Sequence, residues 1–219
     1  MVVVFKDRTD AGRQLAQRLE FLRGQDVVIL GLPRGGVPVG FEVARALGAP
    51  LDVIVVRKLG VPYQPELAMG AIGEGGFRVL NERVLAVARV SSKEFRTVEE
   101  HERAILDDRV ARVRGRHERL SLTGRTAVIV DDGIATGSTA KVACQVARQL
   151  GAAKVVLAVP VCAAETVATI VEADQVICVS VPTSLVAVGN FYRDFSPTSD
   201  DEVARLLDAA RNQGEDHPG

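Results

Sequence analysis

Five short apolar runs punctuate the chain, at residues 27–30, 53–56, 127–130, 155–159 and 176–181. They are rich in Val, Ile and Leu without strict alternation, the pattern of strands buried on both faces. Between them, apolar residues recur at three- and four-residue spacing. Ala11, Leu15, Ala16, Leu19 and Leu22 mark a helix over 7–23, with Thr9 or Asp10 as its cap. Val39, Val43, Ala44 and Leu47 mark a second, and Val142, Val146 and Leu150 a third within 140–150. A fourth spans 163–171, and a fifth, capped by Ser199 or Asp200, runs to Leu207. Strands alternate with helices, so the expected fold is α/β: a Rossmann-like parallel sheet of about five strands with helices on both faces.

Three stretches break the alternation. Within 61–80, two apolar segments at 69–72 and 77–80 flank Gly73-Glu74-Gly75-Gly76 and read as a hairpin, either a lid or an edge element. Within 91–120, Ser91 and Glu94 stand at capping-box spacing. Phe95, Val98, Ile105, Leu106, Val113 and Leu120 then trace a rough stripe through a heavily charged helical insertion, broken at Gly115. After Pro182 the strand and helix rhythm stops; 182–212 forms a hood-like appendage to a core over 1–181, and 213–219 a flexible polar tail.

Composition adds bounds rather than chemistry. With 219 residues, 47% of them hydrophobic, the chain can bury one good core. Its 27 basic residues balance 28 acidic ones, so no overall charge attracts nucleic acid or a membrane. The basic run 109–119 reads as a solvated helix face or a homodimer contact before it reads as an RNA surface. Cys144, Cys162 and Cys178 fit no zinc spacing and lie in apolar stretches, which points to free thiols in a reducing cytoplasm. The apolar opening, residues 1–5, is too short for a signal peptide or a membrane span.

The chemistry concentrates where the 127–130 strand ends. Asp131 and Asp132 follow it directly, and Thr136, Gly137, Ser138 and Thr139 then open a helix. Free N–H groups at a helix start, together with three hydroxyls, suit a phosphate dianion. Two carboxylates cannot bind that phosphate; they suit vicinal hydroxyls or a sugar carbon that turns cationic. Earlier, the 27–30 strand runs into Pro33-Arg34-Gly35-Gly36, where paired glycines let backbone N–H groups approach an anion beside a guanidinium. No Rossmann dinucleotide fingerprint and no P-loop occurs.

A hydrophobic strand, two acids, two mostly apolar residues and a T-G-x-T-like turn resemble the signature of the type I phosphoribosyltransferases. That resemblance implies transfer of ribose 5-phosphate from phosphoribosyl pyrophosphate (PRPP) to a nitrogen acceptor, a nucleobase, with release of pyrophosphate. Asp131 and Asp132 would hold the ribose hydroxyls, and Ala135, Thr136, Gly137, Ser138 and Thr139 would wrap the 5-phosphate. Arg34, Gly35 and Gly36 would grip pyrophosphate. Arg57 and Lys58, at the carboxyl end of the 53–56 strand, match a pair that contacts pyrophosphate in the adenine and orotate branches, although the second lysine of those branches is missing. The stretch 186–195 is similar to the hood of the hypoxanthine-guanine branch. By that likeness Arg193 reaches pyrophosphate and Phe191 or Tyr192 stacks on the acceptor, the alternative being an aromatic plug.

For catalysis the resemblance implies Asp131 and Asp132 at the sugar, Lys58 at the leaving group, and Mg2+ held mainly by substrate oxygens, with Asp131 and Asp132 as its protein ligands. One position departs. Ala135 stands where the hypoxanthine-guanine branch has an aspartate base, which disfavours 6-oxopurines and leaves Glu66 or Glu74 as proton acceptors. A PRPP- or nucleotide-sensing regulator with the same fold is the alternative to an enzyme. The two anion loops must share one substrate, so their strands should be neighbours, in order 2-1-3-4-5.

Overall fold

The computed structural model describes residues 4–115 and 117–215. Its main sheet contains β1 (Val27–Gly31), β2 (Leu51–Val53), β6 (Thr126–Val130), β7 (Lys154–Val161) and β8 (Gln175–Ser180). All its pairings are parallel, in the order β2-β1-β6-β7-β8, the expected topology. β1 and β6 are in full register, Val27 opposite Thr126 and Gly31 opposite Val130. Their last residues therefore finish side by side, and the loops that follow leave from adjacent points.

Alternate side chains of these strands feed two cores. Val27, Ile29, Val128 and Val130 face one layer, which includes Leu15 of α1 (Arg8–Arg18), Val43 of α2 (Gly36–Leu47) and Val203 and Leu207 of α7 (Asp200–Glu215). Val28, Leu30, Ala127 and Ile129 face the other, with Ala143, Cys144, Val146 and Ala147 of α5 (Ser138–Gln149). Burial on both faces explains why these strands read as unbroken apolar runs. Cys144, Cys162 and Cys178 are free thiols, as expected. Among the described residues no helix is long and apolar enough to cross a membrane.

Several boundaries differ from the sequence reading. α1 is capped by Asp7, whose side chain accepts from the Asp10 N–H at 2.8 Å, rather than by Thr9 or Asp10. The second core strand stops at Val53, not residue 56; β3 (Val56–Val61) begins a separate antiparallel sheet with β4 (Gln64–Gly73) and β5 (Arg78–Leu80). The expected hairpin is thus the second half of a three-stranded sheet. Leu59, Val61, Met69 and Ile72 from it are fully buried in the same core layer as α1 and α2, so this is no loose edge hairpin. A short helix, α3 (Glu82–Ala88), follows.

The charged insertion is one helix, α4 (Ser92–Arg114), with the capping box between Ser91 and Glu94 in place and its end at Gly115. Its register buries Leu106 and Val113. It also buries Arg114, which corrects the reading of 109–119 as a uniformly solvated face. The Arg114 guanidinium meets Asp52 at 3.1 Å, Glu74 through both terminal nitrogens, and the Val53 carbonyl at 2.9 Å. Leu120 N–H donates to the second Asp52 oxygen and Val55 N–H to Glu74, so the cluster fastens α4, β2 and the β4 end together with its polar groups satisfied. The helix between β7 and β8, α6 (Ala164–Thr169), is shorter than expected. Beyond β8, α7 opens with Ser199 Oγ accepting from Glu202 N–H at 3.1 Å. It continues to Glu215, past the expected end at Leu207; the last four residues of the tail lie outside the described residues.

Candidate active site

The acidic pair stands at the carboxyl end of β6, where open α/β sheets bind ligands. Asp131 Oδ1 accepts from the Asp132 N–H at 2.9 Å, and Tyr192 donates its hydroxyl to the Asp132 carbonyl at 2.5 Å. Downstream, Ile134 N–H donates to the Val161 carbonyl at 2.9 Å, and Thr166 Oγ1 donates to the Ala135 carbonyl at 2.6 Å. These bonds seat the loop on β7 and α6. Gly137, at φ 76°, turns the chain into α5, a conformation few side chains tolerate. Thr136, Ser138 and Thr139 line the free N–H groups of that helix start, with Thr136 Oγ1 3.3 Å from Ser138 Oγ.

The glycine loop lies directly against these carboxylates. A Cβ added to Gly35 would collide with the Asp132 carboxylate. One added to Gly36 would strike the Val130 carbonyl and come within 2.8 Å of the Asp131 Cα. Only glycine allows this approach; Arg34, the residue before Gly35 in the chain, is exposed.

The electrostatics follow from that crowding. Burial, then the neighbouring charge of Asp132, raises the Asp131 carboxyl well above the ordinary 3.8. Burial raises Asp132 as well, against the opposing hydrogen bond from Arg8. Arg8 donates Nε to Asp132 Oδ2 at 2.8 Å and a terminal nitrogen to the Ser196 carbonyl at 2.7 Å, and lies 4.1 Å over the Phe195 ring. Sequence reasoning missed it: Arg8 opens a helix that read as core cover, and no local pattern announces a partner 124 positions away. Thr166 was missed for the same reason.

The structure separates two residues that the sequence placed together. Arg57 and Lys58 belong to β3 rather than to the end of a core strand, and successive side chains of a strand point to opposite faces. Arg57 pairs with Glu102 of α4; Lys58 turns the other way, 3.4 Å from Glu66. They cannot grip one anion jointly as placed. Phe191 and Tyr192 also need correction as acceptor-stacking rings. Each is 7% exposed and packed with Phe5, Ala11 and Val161, the Tyr192 ring centroid 5.3 Å from that of Phe5 and 4.9 Å from that of Phe195. They form the aromatic plug instead, because their segment pairs with the N-terminal segment: Phe5 bridges Tyr192, and Arg193 N–H donates to the Phe5 carbonyl at 2.9 Å. The Arg193 side chain is exposed beside this bridge. Of the two hairpin glutamates, Glu74 is held by Arg114 and Glu66 has a 97% exposed side chain, so neither is poised as a base.

Among the described residues no group of three metal-ligating side chains occurs. The donor chemistry nevertheless fits Mg2+, which takes one or two carboxylates and draws its remaining oxygens from phosphates and water.

Comparison with known proteins agrees with this geometry. The family model described as "Phosphoribosyl transferase domain" matches residues 6–191, and the chain belongs to that family. It is 59% identical over 208 residues to the Mycobacterium tuberculosis proteins named "Putative phosphoribosyl transferase Rv0571c" and "Putative phosphoribosyl transferase MT0597". Those matches cover 94% of this chain and 47% of each relative, so the chain spans about half the length of the curated relatives it matches. The crystal structure of TT1426 from Thermus thermophilus is 42% identical and superposes with a TM-score of 0.84, covering 93% of this chain and 97% of that one.

Proposed function

We propose that the protein transfers ribose 5-phosphate from PRPP to a nitrogen acceptor, a nucleobase, with release of pyrophosphate. The observation that carries this reading is the contact of Gly35 and Gly36 with the acidic pair, since it makes the anion loop and the sugar-binding carboxylates two walls of one pocket. Displacement at C1 builds positive charge on the sugar and negative charge on the leaving group. Asp131 and Asp132 hold the 2- and 3-hydroxyls and stabilise the cationic sugar. Ala135 to Thr139 hold the 5-phosphate with backbone N–H groups and hydroxyls. Arg34 and the Gly35 N–H take the pyrophosphate, the Gly36 N–H being donated to the Leu32 carbonyl at 3.0 Å. The exposed Arg193 side chain is open to join them, and Arg57 or Lys58 reaches it only if its carboxylate partner is released. Asp131 and Asp132 would supply the protein ligands of a Mg2+ ion, which when bound would contribute charge neutralisation at the leaving group.

Arg8 is a positioning residue here: it orients Asp132 and keeps it more acidic than burial alone allows. The apolar Ala135 disfavours 6-oxopurines, because its methyl group cannot accept the base proton. The test is pyrophosphate release from Mg-PRPP across purine and pyrimidine bases, with wild type beside Asp132→Asn. The expected result is release that depends on one base and falls at least about a hundredfold in the variant. Release that ignores the substitution contradicts the assignment, and silence with every base favours a PRPP-sensing regulator.

A further inference from the structure

We propose that Arg109 of α4 is a further guanidinium for the pyrophosphate of PRPP. The inference rests on the function proposed above and extends its anion site to a helix that the site residues so far do not include. Glu102, Leu106, Arg109 and Val113 follow one another at helical spacing and share one face of α4. Glu102 on that face holds Arg57, and Leu106 and Val113 are buried in the core. Arg109 is therefore turned inward between them, toward β3 and the start of α7, both of which pack against α4.

Its surroundings lack what such a cation needs. The Arg109 Nε is buried without a hydrogen-bond partner among the described residues, and so is Asp200 Oδ1 at the start of α7. The Asp200 charge acts favourably on Arg109 without a hydrogen bond from its Nε. Three cations act in the opposite sense, Arg34 of the glycine loop, Arg57 of β3 and Arg112 of α4 itself. Arg57 is balanced by Glu102 and Arg112 by Asp108, whereas Arg34 and Arg109 have no carboxylate salt bridge among the described residues. Like charges gather in this way where a polyanion neutralises them, and the planar fork of arginine suits bidentate contact with phosphate oxygens. Pyrophosphate is the anion to which Arg34 is already assigned.

The plain structural alternative is a dormant ion pair of Arg109 with Asp200. Calorimetric titration with Mg-pyrophosphate and, separately, ribose 5-phosphate distinguishes the two, on wild type, Arg109→Gln, Arg109→Lys and Asp200→Asn. The expected result is pyrophosphate binding weakened at least about tenfold in Arg109→Gln and less in Arg109→Lys, which keeps the charge but not the fork. Ribose 5-phosphate binding stays within about twofold of wild type throughout, and Asp200→Asn leaves pyrophosphate binding equal or tighter. If Arg109→Gln does not fold, Arg109→Lys carries the comparison. Pyrophosphate binding unchanged in the arginine variants overturns the inference alone, as does an equal loss in Asp200→Asn. Failure of wild type to bind either ligand overturns the functional reading on which it stands.

Discussion

The 131–139 loop and the β3–β5 sheet are fastened to the molecule by different means. The loop rises from a strand buried on both faces and is tied down through backbone groups: Ile134 to Val161, Ala135 to Thr166, Asp132 to Tyr192. The sheet shares apolar residues with the core, yet its cationic strand and its root depend on charge, through Arg57–Glu102, Arg78–Glu99 and the buried Arg114–Asp52–Glu74 cluster. The difference suits the proposed chemistry. A sugar that becomes cationic needs carboxylates that do not reorganise, whereas a leaving group must be gripped and then let go.

Breaking the charged root should have the largest effect. Arg114→Met leaves Asp52 and Glu74 buried without their cation, and a loss of about 3–5 kcal/mol in denaturant unfolding is expected. A loss below about 1 kcal/mol would mean that apolar packing alone holds the sheet. Gly35→Ala attacks the pocket rather than the fold. Its methyl pushes the Asp132 carboxylate away from Arg8, and PRPP turnover should fall about a hundredfold with the unfolding midpoint little changed.

A third substitution separates stability from function on the rigid side. Because the folded state raises the Asp131 carboxyl above 3.8, it binds that proton more tightly than the unfolded chain does. Stability is therefore lost as pH rises from about 3.8 through the raised folded value. Asp131→Asn should raise the thermal midpoint at pH 7 and flatten its dependence on pH across that window, while transfer is lost. A midpoint lower than wild type at pH 7 would show that the charge is not strained. The smallest effect belongs to Glu66→Gln. Its exposed pair with Lys58 should contribute under about 0.5 kcal/mol, readable by the same unfolding measurement.

The same contrast explains what the sequence made legible. A strand such as 127–130 carries its burial in its own composition, and the residues that follow it, Asp131 to Thr139, are contiguous in the chain. The sheet order followed from the expectation that two anion loops share one substrate, which requires neighbouring strands. Arg8 against Asp132 and Arg114 against Glu74 are pairs between distant segments, and nothing near either residue announces its partner. Arg57 and Lys58 were misplaced because the apolar run 53–56 hides a break: β2 ends at Val53, and the same residues continue into another sheet. Phe191 and Tyr192 were ambiguous because the side chains that plug an edge are also the ones that stack on a base.

The convergence of the two loops on one substrate is tested most directly by competition calorimetry on the wild-type protein in the presence of Mg2+. Titration with PRPP should displace both bound ribose 5-phosphate and bound pyrophosphate, with one PRPP taken up per chain. Displacement of only one of the two ligands would place the Asp131–Asp132 loop and the Gly35–Gly36 loop at separate sites and contradict the account.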